Sequence, residues 1–328
     1  MKRTVLPLIA AAAVATLAAC GTTEAPAAGI GATTPAANDA GPVSVSDSRG
    51  KTITLPRAAN RVVVLEWGEA EIVASLGVTP VGVADVKGYA TWDKAAPLDA
   101  AVKDVGTRGE PSIDAILGLG PDLVIAIEDL PATVVSQLES SVPVFVADAT
   151  DASRNLDRLR DEVTAFGTLL GRSDEATKVV AGMDAALAEG KDAIDRAGKA
   201  GTPFVMADGW KEGSSVALRP FGEGSLVSDV AEELGLVNAW KGEVDKEWGL
   251  GQTDVEGMTA VTDPNTHLFY SASEDDVFAN DLAGNAIWKK LPFAAEGRMH
   301  KFENGTWTFG GPASVESLAE QMVAGITG

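Results

Sequence analysis

Residues 61–84 read RVVVLEWGEAEIVASLGVTPVGVA, and this stretch decides the fold. The apolar run at residues 61–65 is typical of a strand buried on both faces. Residues 69–76 follow with a helical pattern that ends at Gly77, and residues 80–84 have the pattern of a second strand. A strand, a helix and a second strand in succession along the sequence predict a parallel sheet that is covered by helices.

The same alternation of strands and helices occurs in two parts of the chain. It continues to about residue 150 and returns after residue 203, and a strongly amphipathic helix is predicted between the parts, over residues 153–170. A chain of 328 residues is long for one core. We therefore predict an α/β protein with two lobes that are separated by a helical segment.

The N-terminus has the features of an export signal. Two basic residues precede an apolar run at residues 5–17, which is too short for a transmembrane helix. The run ends in Leu-Ala-Ala-Cys and resembles a bacterial lipobox, with Cys20 as the single cysteine of the chain. We expect residues 1–19 to be a lipoprotein signal peptide and residues 20–42 to be a lipidated cysteine and a flexible tether. An ordinary signal peptide with an incidental cysteine is the alternative.

Charge and composition exclude several classes of function. The chain has 26 Lys and Arg against 47 Asp and Glu, so a nucleic-acid partner held by general electrostatics is not expected. Two histidines and one cysteine do not supply a usual zinc site, and we expect no metal ligands. The sequence also lacks a nucleophile elbow, a His-Glu-x-x-His pair and a phosphate-binding glycine loop. These absences argue against an enzyme.

Residues 104–114 present one arginine on a loop that is bracketed by glycines. The stretch reads DVGTRGEPSID, and Ser112 is a good N-cap for the helix that follows Arg108. A guanidinium group is planar and permanently charged, so on a rigid loop it suits an oxygen-rich anionic group. The alternative is a surface arginine that pairs with Asp104 or Glu110.

Tryptophan is unusually frequent relative to tyrosine, with seven residues against two. Two of them, Trp240 and Trp288, lie in helix-like contexts and are predicted to be core residues. The others lie in segments with a loop pattern, most of them beside a glycine, where a tryptophan fills a core or lines a pocket. These are Trp67, Trp92, Trp210, Trp248 and Trp307.

The order of these motifs resembles the ferric siderophore-binding proteins of ABC importers, and among them the ferric hydroxamate-binding proteins. The resemblance spans residues 43–326 and rests on Leu65-Glu66-Trp67, Gly88-Tyr89-Ala90-Thr91-Trp92, Asp104–Ser112, Pro121–Ile125, Asn238–Trp240, Glu247-Trp248-Gly249, Trp288–Phe293 and Trp307. It implies two Rossmann-like α/β lobes joined by a single long helix, the helical-backbone type of metal- and siderophore-binding protein. The lobes would be residues 43–151 and 173–328, and the interlobe helix would be residues 152–172.

The resemblance also implies a ligand-binding site. Arg108 would bond the hydroxamate oxygens around the iron, and four aromatic residues would contact the organic part of the siderophore, namely Trp67, Trp92, Trp248 and Trp307. The family's hydroxamate binders place a tyrosine after the strand at residues 122–127, where this chain has Glu128 and Asp129. Arg219 is our candidate for the missing hydrogen bond, with a surface arginine as the alternative.

Two acidic residues are candidates for docking to a permease. A weak internal repeat places Asp114 and Glu256 in the first turn of a capped helix in each lobe, and Thr253 and Glu256 have the spacing of a capping box. Acids at these positions complement the helix dipole. The resemblance implies that they also pair with arginines of the permease, and the two roles are compatible.

The function implied is that of an extracytoplasmic, membrane-anchored binding protein that captures ferric siderophores, of hydroxamate type, for an ABC permease and its ATPase. The siderophore itself coordinates the iron, so no cofactor is expected, and the protein would act as a monomer without catalysing a reaction. A cobalamin- or haem-binding protein is the first alternative. An extracytoplasmic hydrolase is the alternative from a different class.

Overall fold

The structure is a computed structural model that describes residues 41–328. The predicted signal peptide, Cys20 and nearly all of the predicted tether lie outside the described residues. Within the described part, no helix combines the length and the apolar character that crossing a membrane requires.

The N-terminal lobe is built around a parallel sheet. A small antiparallel hairpin precedes it, formed by β1 (Val43–Ser46) and β2 (Thr52–Leu55). The sheet strands are β3 (Val62–Val64), β4 (Gly82–Val83), β5 (Lys103–Asp104), β6 (Leu123–Ile127) and β7 (Val144–Ala147). The helices of this lobe are α1 (Trp67–Ser75), α2 (Val86–Trp92), α3 (Ile113–Gly118) and α4 (Ala132–Glu139). The side chains of β3, β6 and β7 are buried on both faces, as the apolar runs predict.

The strand order of this sheet locates a binding crevice. The order is β5-β4-β3-β6-β7 and all neighbours are parallel, so the chain winds outward in one direction from β3 and then in the other from β6. In such doubly wound sheets, the connections from the two central strands leave the carboxyl edge in opposite directions, and ligands bind in the crevice between them. The crevice of this lobe therefore lies at the carboxyl ends of β3 and β6, which end at Val64 and Ile127.

Two helices lie between the two sheets along the chain, and the first of them occupies the position of the predicted interlobe helix. They are α5 (Asn155–Leu169) and α6 (Ser173–Arg196), separated by a short turn at Gly171 with a φ of 65°. The periodic apolar residues of α5 are buried, Val163, Phe166 and Leu169 completely, as their spacing predicts. The helix predicted at residues 153–170 is thus present, and α5 packs on β1, α1, α6 and α7 (Leu226–Glu233).

The C-terminal lobe has a second sheet with one antiparallel strand. Its strands are β8 (Pro203–Glu212), β9 (Ser215–Phe221), β10 (Val237–Asn238), β11 (His267–Tyr270) and β12 (Met299–Lys301). The parallel order is β10-β8-β11-β12, and β9 folds back on β8 as a hairpin that the sequence analysis did not predict. The remaining helices are α8 (Val277–Asn280), α9 (Pro292–Ala295) and α10 (Pro312–Thr327), with single 3₁₀ turns at Gly257–Ala260, Leu282–Gly284 and Trp288–Lys290.

Four local predictions are wrong. Trp67, Trp92 and Trp210 do not lie in loops, because they are the first residue of α1, the last residue of α2 and a residue of β8. The capped helix predicted at Thr253 is a 3₁₀ turn that begins at Gly257, and Glu256 makes no side-chain cap there. Asp254 instead accepts a hydrogen bond from the amide of Gly257, which starts the turn. Trp240 and Trp288 are buried core residues, as predicted.

A buried carboxylate joins the two lobes beside the crevice. The Glu71 side chain on α1 accepts hydrogen bonds from the amides of Gly311 and Ser314, at 2.8 and 2.9 Å, and from the Ser314 hydroxyl at 2.6 Å. These are donors at the N-terminus of α10, so Glu71 caps a helix of the other lobe. A Cβ atom on Gly310 would lie only 2.5 Å from Glu71 Oε2, so this close approach requires glycine.

Candidate ligand-binding cleft

A cavity of about 380 Å³ lies between the two lobes, at the crevice that the strand order indicates. Residues that follow β3 and β6 form its N-terminal side, α5 forms its base, and the segments around Trp248 and Trp307 form its C-terminal side. Cavities of this size, lined by aromatic groups and a few polar groups, are typical of small-molecule sites.

Arg108 lies in the wall of this cavity and is held by the N-terminal lobe. Its Nη1 atom donates a hydrogen bond to Glu66 Oε1 at 2.6 Å, and its Cζ atom lies 3.9 Å from the centroid of the Trp67 ring. The partner is therefore Glu66, and not the neighbouring acids Asp104 or Glu110. An arginine stacked on an indole and bonded to a carboxylate is fixed in orientation.

The loop that carries Arg108 depends on one of its two glycines. Gly106 has a φ of 105°, and a Cβ atom there would lie 2.9 Å from the amide nitrogen of Ser112, so only glycine fits. Gly109 has no such requirement, because its φ is not positive and a Cβ atom would meet open space. Ser112 caps α3 as predicted, since its hydroxyl accepts a hydrogen bond from Ala115.

Aromatic rings form the wall contributed by the C-terminal lobe. Trp248, Trp307 and Phe309 line the cavity, and Phe309 contacts both tryptophans, with its ring centroid 5.5 Å from that of Trp248 and 5.2 Å from that of Trp307. Trp67 and Trp92 do not line it. They pack on Trp307 from the N-terminal lobe, with centroid distances of 5.0 and 6.3 Å. Both residues therefore position Trp307 and, in the case of Trp67, also Arg108.

Arg219 is the second arginine of the wall. It lies on β9 and donates to Asp208 on β8, with an Nε–Oδ1 distance of 3.0 Å, and its Cζ atom lies 5.3 Å from the Phe309 ring. Arg219 is thus half-buried at the cavity. Like Arg108, it combines an acidic partner with an aromatic neighbour.

The base of the cavity contains two buried carboxyl groups and one arginine. Glu69 on α1 is 4% exposed, and Glu162 and Arg158 on α5 are 6% and 7% exposed. Arg158 Nη1 donates to Glu162 Oε2 at 2.6 Å and to the carbonyl oxygen of Asp148 at 2.9 Å. Burial raises the pKa of Glu69 well above its usual range, and the charges of Glu162 and Glu66 act in the same direction.

The pKa of Glu162 is also raised. Burial is the largest cause and raises it to about 7, although Arg158 favours the ionised form. The pKa of Glu162 therefore lies in the neutral range, and the pKa of Glu69 is shifted in the same direction. Perturbed carboxyl groups in a cleft are a common property of functional sites.

The position of the missing family tyrosine is acidic. Asp129 lines the cavity, and Glu128 lines an adjoining hollow of about 470 Å³ that shares Asp129 and Trp248 with the first. This hollow is lined by five acidic residues and one lysine, namely Glu128, Asp129, Asp148, Asp151, Glu247 and Lys246.

Asp114 and Glu256 lie outside the cleft. Both are exposed, Asp114 in the first turn of α3 and Glu256 directly before the 3₁₀ turn. The sequence analysis missed Phe309, Glu69, Glu162, Arg158 and Asp208. Among these, only Phe309 had a detectable signal, because it follows Trp307 within a Gly-rich segment. Residues 41–328 contain no group of three His, Cys, Asp or Glu side chains arranged to hold a metal ion.

The chain is similar to known binding proteins over most of its length. It is 26% identical over 260 residues to the iron(3+)-hydroxamate-binding protein FhuD of Escherichia coli K12. The aligned residues cover 78% of this chain and 83% of that protein. It is 28% identical over 280 residues to the Fe(3+)-citrate-binding protein YfmC of Bacillus subtilis, covering 85% and 84%.

A solved structure has the same fold. The siderophore-binding protein FhuD from Vibrio cholerae, bound to Fe³⁺-Desferal, superposes with a TM-score of 0.72 at 25% identity, covering 81% of this chain and 97% of that one. The predicted α/β architecture is thereby confirmed. The family model described as periplasmic binding protein matches residues 62–302, and the chain therefore belongs to the periplasmic binding protein family.

Proposed function

We propose that this protein binds ferric siderophores of the hydroxamate type outside the cytoplasm and delivers them to an ABC permease. The observation that carries the proposal is the placement of Arg108, which is stacked on Trp67 and faces a cavity walled by Trp248, Trp307 and Phe309. Hydroxamate oxygens around iron are acceptors for a guanidinium fork, and the organic shell of the ligand suits aromatic walls. The two relatives named FhuD support this choice of ligand.

The charges of the cleft favour a ligand that is not strongly anionic. Each of the three arginines at the cavity already has a carboxylate partner, since Arg108 bonds Glu66, Arg158 bonds Glu162 and Arg219 bonds Asp208. Asp129 and Glu69 add further acidic groups. A ferric trihydroxamate core is neutral, whereas ferric citrate complexes carry negative charge and would be repelled. The proposal therefore prefers hydroxamates to the ligand class named for YfmC.

The attachment and partners form part of the same proposal. An acylated Cys20 would anchor the protein at the outer face of the cell membrane, and the segment after it would connect the anchor to the binding domain. Asp114 and Glu256, exposed on different lobes, would pair with arginines of a permease that works with its ATPase. The protein itself performs no reaction and acts as a monomer, and the siderophore provides all ligands to the iron.

A fluorescence titration of the mature, tag-free protein tests the proposal. Trp248 and Trp307 line the cavity, so we expect a coloured ferric hydroxamate such as ferrichrome or ferrioxamine B to quench emission at micromolar or lower concentration. The variant Trp307→Phe should lose part of the quenching, whereas Trp288→Phe, in the core of the C-terminal lobe, should retain it. A response to ferric citrate, cobalamin or haem without any response to hydroxamates would refute the proposal.

A further inference from the structure

The base of the cavity lacks one positive charge. Glu69 and Glu162 come from two different helices and meet a single arginine, Arg158, where all three line the cavity. With both carboxyl groups ionised, the cluster would carry a net charge of −1. A buried charge without a partner is costly, so such a cluster takes up either a proton or a cation.

The cluster also has more unpaired hydrogen-bond acceptors than unpaired donors. Within residues 41–328, Glu69 Oε2 and Glu162 Oε1 are buried acceptors without a donor, and Arg158 Nε is a buried donor without an acceptor. Two free acceptors exceed one free donor, and both belong to side chains that are more than nine-tenths buried. Buried polar atoms in native proteins are almost always satisfied, so the group that belongs here donates hydrogen bonds.

No other group among the described residues that line the cavity supplies that charge. Arg108 and Arg219 are each bonded to an acidic partner, and both lie beside aromatic rings. The charged groups that face Glu69 are Glu162, Glu66 and Arg158, and those that face Glu162 are Arg158 and Asp148. The acidic hollow that adjoins the cavity at Asp129 increases the negative potential further.

We propose that the base of the cleft, formed by Glu69 and Glu162, binds a protonated amine that is carried by the ferric hydroxamate. The inference rests on the proposed function and identifies siderophores with a pendant ammonium group as the preferred members of its substrate class. An ammonium group carries the missing positive charge, and two of its three donors are enough for the two free oxygens. The aromatic walls attract the same cation.

Binding of such a ligand is then coupled to proton release. Burial raises the pKa of both glutamates, that of Glu162 to about 7, so the ligand-free cluster holds a proton more readily than exposed carboxyl groups do. Binding of the ammonium group favours the ionised carboxylates, so this proton leaves to solvent. A neutral ligand leaves the proton in place.

The test compares two ligands that differ in this group alone. Ferrioxamine B has a neutral ferric core and a free terminal ammonium group, and its N-acetyl derivative has the same core without the charge. We expect wild-type protein to bind ferrioxamine B at least about tenfold more tightly, as one charge-assisted hydrogen bond implies. Titration calorimetry at pH 7 in phosphate and in Tris should detect proton release for ferrioxamine B and less for the acetylated form.

Three variants locate the effect. Glu69→Gln and Glu162→Gln should each bring the affinity ratio of the two ligands towards one. Asp161→Asn is the matched control, because Asp161 is exposed on α5 beside Glu162, pairs with Arg154 and should leave the ratio unchanged. Far-UV circular dichroism and the melting temperature verify folding, and the comparison in wild-type protein requires no variant.

The outcomes separate the two proposals. Equal affinity of wild-type protein for both ligands overturns the ammonium site and leaves hydroxamate binding intact. A preference for ferrioxamine B that persists in both glutamine variants also overturns it. If neither hydroxamate binds, the proposed function and this inference both fail.

Discussion

Replacement of Glu71 by alanine tests whether the carboxylate between the lobes stabilises the protein. Glu71 is fully buried and accepts three hydrogen bonds, all from the first turn of α10. The Glu71→Ala variant leaves these three donors without their acceptor, at about 1–3 kcal/mol for each donor that stays unsatisfied. Because water enters part of the vacated space, we expect a total loss of about 3–5 kcal/mol, as for removal of one partner from a buried charged network.

Urea unfolding at pH 7, followed by far-UV circular dichroism, measures this loss. Natural proteins have a free energy of unfolding of about 5–15 kcal/mol, so the expected shift of the midpoint is large. Glu71→Gln keeps the volume and one acceptor oxygen and should cost about half as much. Glu189→Ala, at an exposed position of α6, should stay within about 0.5 kcal/mol of wild type. A Glu71→Ala variant that loses less than about 1 kcal/mol would show that the reasoning is wrong.

Three further predictions concern the cleft, the buried acids and the surface. Arg108→Ala should weaken hydroxamate binding by about 10- to 100-fold. Arg108→Lys should retain only part of the wild-type affinity, because lysine lacks the planar fork. If both variants bind like wild type, Arg108 is a surface residue that does not contact the ligand. Burial, and then the charge of Glu71, raises the pKa of Asp93 to about 9, so its contribution to stability is complete below about pH 4 and is lost as the pH rises through 9. The free energy of unfolding of Asp93→Asn should therefore increase relative to that of wild type as the pH rises from about 5 to about 8. If urea unfolding gives the same difference between the two proteins at both pH values, the prediction is wrong. Asp114→Ala combined with Glu256→Ala should leave binding intact but reduce uptake of labelled ferric siderophore by cells, and normal uptake would limit both residues to local roles.

The fold was predictable because its signals are local. Buried strands such as β6 are continuous apolar runs, and α5 has apolar residues at intervals of three and four, so each element can be identified from neighbouring residues. The β8–β9 hairpin was missed because β8 continues beyond its apolar residues into an exposed half that reads as a loop. The turn at Gly257 was misassigned because a capping-box spacing is short and occurs without a helix.

The binding site was predictable only in part. The Arg108 loop and the tryptophans could be singled out because glycine, proline and tryptophan carry strong individual preferences. Their mutual arrangement could not, since Trp92 and Trp67 support Trp307 from a different lobe and do not line the cavity. Glu69 and Glu162 gave no signal, because an acid on a helix surface and an acid at the base of a cleft have the same sequence pattern.

By itself, the sequence determined the two α/β lobes, the helical connection between them and the rigid loop that presents Arg108. Tertiary structure alone decided which charges meet, as Arg108 finds Glu66 from 42 residues away and Glu71 reaches Ser314 over 243 residues. The physical reason is the range of the interactions. Backbone preferences and apolar periodicity act over a few residues, whereas the burial and pairing of a charge depend on every chain segment that packs around it.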